Sequence, residues 1–212
     1  MHTALEGGNE KLFVRTESFS QFIRLYPIVS IIVFIHLLLF SVALVPFLPE
    51  ILVYEHLAGI NLYIFNGEWW RLITPIFVHL GFAHLLFNSF SLILFAPPLE
   101  RMLGKFKFTI IYLTCGIAAN IATYFLKPLT YNHVGASGAI FGLFGIYVGM
   151  TLFHKHLIST QNKQVIIPIV VIGLVMTFFQ ANINITAHLV GLLSGLVISW
   201  LLLPYMVRKN RY

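Results

Sequence analysis

The sequence predicts an all-α integral membrane protein of six transmembrane helices with a long amphipathic first outer loop. Three observations lead there. Only 9% of the 212 residues are charged, against roughly 25% in an average soluble domain. Apolar residues reach 58% of the chain, and a soluble fold could not cover its surface with so few charges. Several stretches also exceed the ~18 apolar residues that read as membrane spans.

The segment 1–25 carries Glu6, Glu10, Lys11, Arg15, Glu17 and Arg24 ahead of the first apolar run. It reads as a cytoplasmic N-terminal segment and not as a secretory signal, which would put a short apolar core near the start. The membrane domain is expected over 26–205, followed by a short basic cytoplasmic tail, 206–212. Its spans are expected at about 26–48, 81–103, 106–126, 137–153, 165–180 and 187–205. The connection 49–80 is too apolar for a simple linker. Its Glu68-Trp69-Trp70-Arg71 run sets two indoles beside a charge pair, as at a lipid–water boundary, so part of it is expected in the outer leaflet. The remaining connections are short, and no second domain, repeat or low-complexity tract is visible.

Charge sets the expected orientation. With the N-terminus inside, the cytoplasmic segments hold every basic residue except Arg71 and Lys127, which favours both termini in the cytoplasm. The formal charge of +6 is therefore topological and implies no nucleic-acid partner. The single cysteine, Cys115, lies inside an apolar segment; it excludes an intrachain disulfide and reads as a small core residue.

Polar side chains within spans are costly and mark function by default. Four stand out: His84, Asn88, Ser137 and His188. At 1.5 Å rise per residue, His84 lies ~25 Å above Arg101, Ser137 ~25 Å above His154 and His188 ~24 Å above Pro204. Three helices thus deliver polar groups to one shallow plane near the outer face.

Their chemistry is complementary. A serine needs an adjacent base to become a nucleophile, and histidine is the usual choice. Ser137 with His188 is the smallest such unit. The chain contains no Asp, and every Glu sits in a loop or near a helix end, so the reading is a dyad without an orienting carboxylate. His84 and Asn88, four apart, point the same way on a helix. With the backbone N–H of Ser137 they could stabilise an oxyanion. Gly138, Gly142, Gly145 and Gly149 share one face of span four, and His188, Gly191 and Gly195 share one face of span six. Such faces permit close backbone approach. The polar stretch 127–133 before Ser137 is expected to dip into the protein and line a water-filled cavity.

These residues resemble the rhomboid proteases. Gly135-Ala136-Ser137-Gly138 looks like the family's G-x-S-G nucleophile motif, and His188 with Gly191 and Gly195 is similar to its histidine-plus-glycine helix. His84-Leu85-Leu86-Phe87-Asn88 resembles its H-x-x-x-N element, with His79 at another recurrent position, and Trp70-Arg71 resembles the Trp-Arg pair of the first outer loop. The resemblance runs through nearly the whole chain from span one. It implies a rhomboid-like bundle acting as an intramembrane serine endopeptidase on single-span membrane proteins near the outer boundary of the bilayer. Ser137 would attack the scissile carbonyl, and His188 would serve as base and then as acid. His84, Asn88 and the Ser137 amide would form the oxyanion hole. It implies no metal, no cofactor and a bacterial plasma membrane. Span five, with Pro168 and the loop 181–186, would border the substrate's route. Phe141 stands where some members carry a tyrosine packed on the catalytic histidine; it keeps the stacking and loses the hydroxyl.

His36, His154 and His156 read as structural, and Asn184-Ile185-Thr186 as a chance match to a glycosylation sequon. Two other classes were weighed. A non-catalytic rhomboid-like factor that binds membrane proteins would not need both Ser137 and His188. A transporter would show internal repeats and polar groups at mid-membrane depth, neither of which is present.

Overall fold

The computed structural model of the chain describes residues 12–44, 50–179 and 183–208. Its first helix, α1 (Phe19–Leu25), opens on a capping box in which Ser18 and Gln21 satisfy each other's backbone N–H groups. It stops because Pro27 cannot continue it; Pro27 instead begins α2 (Pro27–Ala43), where its missing N–H costs nothing. The two axes meet at 112°. The first turn of α2 leaves further N–H groups without partners. Ile28 and Val29 donate theirs to the two carboxylate oxygens of Glu100, each at 2.9 Å. Glu100, buried at 2% exposure, is thus a helix cap supplied by another helix.

The connection expected to be amphipathic is folded. It holds α3 (Glu50–Leu57), a two-residue strand β1 (Gly59–Ile60), α4 (Asn61–Phe65) and two 3-10 turns, Trp69–Leu72 and Thr74–Phe77. Arg71, only 3% exposed, organises it. Its guanidinium donates to the Ala58 carbonyl at 2.8 Å, to Glu68 Oε2 at 2.6 Å and to the Glu55 carbonyl. It also lies 4.8 Å from the centroid of the Tyr63 ring. Three acceptors and one aromatic face satisfy a planar fork that water does not reach. Around it Phe65, Trp69, Trp70 and Ile73 are exposed, an apolar rim suited to lipid headgroups and acyl chains.

The long helices follow. Gly104, with φ of 79°, lets α5 (Phe82–Leu103) end and α6 (Lys105–Leu126) begin at a single residue. A short strand β2 (Asn132–His133) pairs antiparallel with β1, Gly59 opposite His133 and Ile60 opposite Asn132. Then come α7 (Ser137–Phe153), α8 (Thr160–Phe179), α9 (Ile185–Leu201) and α10 (Leu203–Arg208). Among the described residues, α5, α6 and α8 are each long and apolar enough to cross a membrane, and α1 with α2 qualify as one bent pair. The apolar helices α7 and α9 are shorter, at 17 residues each.

Three expected boundaries move. The first span is a bent pair, and residues 45–48 of its expected range lie outside the described residues. Helix α8 starts at Thr160, five residues before the apolar run, because the Ser159 hydroxyl accepts the Asn162 N–H and caps a polar first turn. The last span breaks at Leu202, since Pro204 has no N–H to return to the Trp200 carbonyl.

The core is built on α7, 12 of whose 17 residues are buried. Tyr147 from α7 donates its hydroxyl to the Phe95 carbonyl of α5 at 2.7 Å. Small residues bring α6 and α9 against the two sides of α7: Gly138 meets Ala119, and Gly142 meets Cys115. On the α9 side the backbones touch. A Cβ on Gly191 would collide with the Gly138 carbonyl, one on Gly195 with the Gly142 carbonyl, and one on Gly145 with the Leu192 carbonyl. Lipid offers no hydrophobic drive for helix association, so this packing and its dispersion contacts must supply it.

Gly195→Leu should therefore wedge α7 and α9 apart. The expected loss is about 3 kcal/mol, or roughly 6–12 °C in Tm for a chain of this size. Thermal unfolding in detergent reads it, and a wild-type Tm would refute the close contact.

Candidate active site

Ser137 is the first residue of α7, and the chain reaches it through a turn that only glycine suits. Gly135 has φ of 118°, donates its N–H to the Pro75 carbonyl at 2.8 Å, and carries the His84 ring where a Cβ would stand. The next N–H, of Ala136, donates to His79 Nε2 at 3.4 Å. His79 is 3% exposed. Burial, aided by the imidazoles of His36 and His84, lowers its pKa from 6.5 to about 2, so the ring is neutral and able to accept. The backbone that delivers Ser137 is thus held by the outer-loop segment 75–79. The pairing of β2 with β1 holds the same stretch from further back.

Ser137 is half-buried. Ala136 caps α7 with no side-chain hydrogen bond, so the first N–H groups of α7 are available to an anion. Its neighbour Gly138 sits against the backbone of Gly191 and within 3.6 Å of Ala187, measured from its Cβ position. Ala187 directly precedes His188, so Ser137 and His188 lie at one level on adjoining helices.

His188 is 7% exposed and held on two sides. Its ring stacks on Phe141 of α7, centroids 4.1 Å apart and planes at 16°. Its Nδ1 lies 2.8 Å from Thr177 Oγ1 on α8. The helix that carries it is fixed by Asn184, whose side chain accepts the Ala187 N–H at 3.0 Å and donates to Thr123 Oγ1 of α6 at 2.9 Å. Ser137 and His188 are not directly hydrogen-bonded in this structure.

His84 and Asn88 occupy successive turns of α5. Asn88, buried, donates one N–H to the His84 carbonyl at 2.9 Å and keeps the other. His84 lies over Gly135 and 5.0 Å from His79, ring to ring. His79 in turn lies 4.4 Å from His36 of α2. His36, read as structural in the sequence, thus joins a row of three neighbouring imidazoles behind the serine turn.

Trp70 and Arg71 lie in the outer loop. Trp70 Nε1 donates to the His56 carbonyl at 3.1 Å, and both residues shape the loop that buttresses Gly135. His154 meets the Ser199 carbonyl at 2.9 Å, at the far ends of α7 and α9. Of the loop 181–186, residues 181 and 182 lie outside the described residues, and Ile185 and Thr186 begin α9. Asn184 of the sequon is its cap.

Thr177 and Asn184 went unrecognised in the sequence. A threonine in a membrane helix ordinarily bonds its own backbone one turn back, and Thr177 does so as well, donating to the Gly173 carbonyl at 2.8 Å. Its only outward signal is a hydroxyl near the end of an otherwise apolar span.

Comparison with known proteins places the chain in a family. The family model for the Rhomboid domain matches residues 66–205. The chain is 49% identical over 198 residues to the putative rhomboid protease YdcA of Bacillus subtilis (strain 168), covering 93% of this chain and 100% of that protein. It is 41% identical over 135 residues to the rhomboid protease GluP of the same organism, covering 64% of this chain and 26% of the longer relative. It is 32% identical over 143 residues to the Rhomboid-like protease 1 of Toxoplasma gondii, covering 64% and 48% of the two chains. With a matched domain, a relative aligned from end to end and a bundle of apolar helices around a buried histidine, the chain belongs to the rhomboid family of multi-pass intramembrane serine proteases.

Proposed function

We propose that Ser137 and His188 form a Ser-His dyad that hydrolyses peptide bonds in or near the transmembrane segments of single-span membrane proteins. The observation that carries this reading is the contact of Gly138 with Gly191 and Ala187, because it holds serine and histidine at one level. Ser137 Oγ attacks the scissile carbonyl while His188 Nε2 takes its proton. The tetrahedral oxyanion is met by the N–H of Ser137 at the start of α7, by the free N–H of Asn88 and by the His84 ring. His188 then protonates the leaving amine. A water, deprotonated by His188 in its turn, hydrolyses the acyl-enzyme and restores the serine.

The surroundings support the same reading. His79, Gly135 and the outer loop fix the turn before Ser137. Phe141 presents a flat face to the imidazole, and no tyrosine hydroxyl is needed for that stacking. Helix α8 borders the route of the substrate. The basic residues at the opposite ends of the helices orient the protein with both termini in the cytoplasm, the domain 26–205 in a bacterial plasma membrane, and 206–212 as a basic cytoplasmic tail.

Purified protein in detergent with a single-span reporter tests the dyad. Wild type should cleave, whereas Ser137→Ala and His188→Ala should remain folded and lose cleavage. Wild-type turnover in either variant would remove that residue from the mechanism.

Asn88→Ala separates binding from chemistry. It should lower kcat roughly a hundredfold, the cost of one oxyanion donor, with little change in KM. A rise in KM alone would assign Asn88 to substrate binding.

A further inference from the structure

We infer that Thr177 is a positioning residue for His188, the neutral counterpart of the carboxylate that other serine hydrolases use. The inference rests on the dyad reading above and begins from hydrogen bookkeeping. A threonine hydroxyl has one proton to give. Thr177 Oγ1 lies 2.8 Å from the Gly173 carbonyl, which can only accept. It lies equally 2.8 Å from His188 Nδ1. With its proton given to Gly173, the oxygen must accept, and His188 must carry its hydrogen on Nδ1. Nε2 is then left with a lone pair, the nitrogen that a base facing Ser137 needs. The opposite tautomer would protonate Nε2 and disable it.

The arrangement is enclosed. Thr177 is 1% exposed and His188 7%, so water does not compete for the bond. Gly173, one turn back on the same face of α8, lies against the edge of the Phe141 ring, with its Cβ position 3.4 Å from Cζ. Helix α8 therefore reaches the imidazole twice: through the Thr177 hydroxyl and through the ring on which His188 stacks. When His188 becomes an imidazolium during the reaction, Nδ1–H keeps its acceptor. A hydroxyl carries no charge to balance the cation, so the expected effect is well below the ~10⁴-fold cost of disturbing a triad aspartate.

The partner comes from a loosely held helix. Of the 20 residues of α8, only Asn162, Ile166, Val170 and Thr177 are buried, one narrow stripe, while Val171, Ile172, Val175, Met176, Phe178 and Phe179 face outward. Setting of the base thus depends on the seating of a helix whose other face is in lipid.

The experiment compares wild type, Thr177→Val, Thr177→Ser and His188→Ala in reporter cleavage and in the rate of fluorophosphonate labelling of Ser137. Valine keeps the volume and removes the hydroxyl. It should lower kcat roughly tenfold, the worth of one hydrogen bond to a charged group, with KM within about twofold, and slow labelling in parallel. Serine should restore most of both. Wild-type kcat in Thr177→Val, or equal losses in the valine and serine variants, would overturn the positioning role and leave only packing. If the valine variant does not fold, Thr177→Ala takes its place, and the same alanine-to-serine comparison decides. Loss of cleavage in His188→Ala beside wild-type activity in Thr177→Val overturns the Thr177 role alone. Cleavage retained in His188→Ala overturns the dyad and this inference with it.

Discussion

Backbone contact between α7 and α9 determines how everything else is arranged. Gly138, Gly142 and Gly145 on one helix and Gly191 and Gly195 on the other leave no side chain between the two backbones. Residues that flank these contacts are thereby fixed relative to one another, and Ser137 and His188 are among them. A bilayer gives helices little reason to associate apart from such packing and the hydrogen bonds made within it. Interhelical polar links reinforce the seam: Tyr147 to the Phe95 carbonyl, Asn184 to Thr123 and His154 to the Ser199 carbonyl. Each ties two neighbouring helices together while satisfying a polar group that lipid would leave stranded.

The outer loop performs a different task. Arg71 gathers the carbonyls of Ala58 and Glu55 and the Glu68 carboxylate into one node. From that node β1 reaches β2, and Pro75 and His79 take up the N–H groups of Gly135 and Ala136. A flexible loop would leave the turn before Ser137 free to wander. Here the serine is aimed by loop structure on one side and by the glycine seam on the other.

Much of this was legible in the sequence because it rests on residue types that lipid makes expensive or spacing makes conspicuous. The start of α7 at Ser137, the glycine faces and the pairing of His84 with Asn88 on one helix all follow from counting residues. What escaped notice was polarity that looks ordinary from the sequence alone. Thr177 is one hydroxyl in an apolar run, and Asn184 resembles a sequon. Glu100 sits near a helix end, where an acid attracts no attention, yet it caps α2 from 71 and 72 positions away. The start of α8 was hidden because its first turn is polar, so hydrophobic periodicity has nothing to register there. Long-range partners of this kind are invisible to any local pattern.

The seam also governs where water can go. From Gly138 and Gly191 down to Gly145 and Leu192 the backbones of α7 and α9 are in contact, and at Gly149 the Ser199 side chain closes the same seam, so no file of solvent fits between these two helices. If Ser137 and His188 act as proposed, their water reaches them by a route other than this seam. A hydrolytic reaction at the head of such a seam, as proposed above, would open no conducting path between α7 and α9.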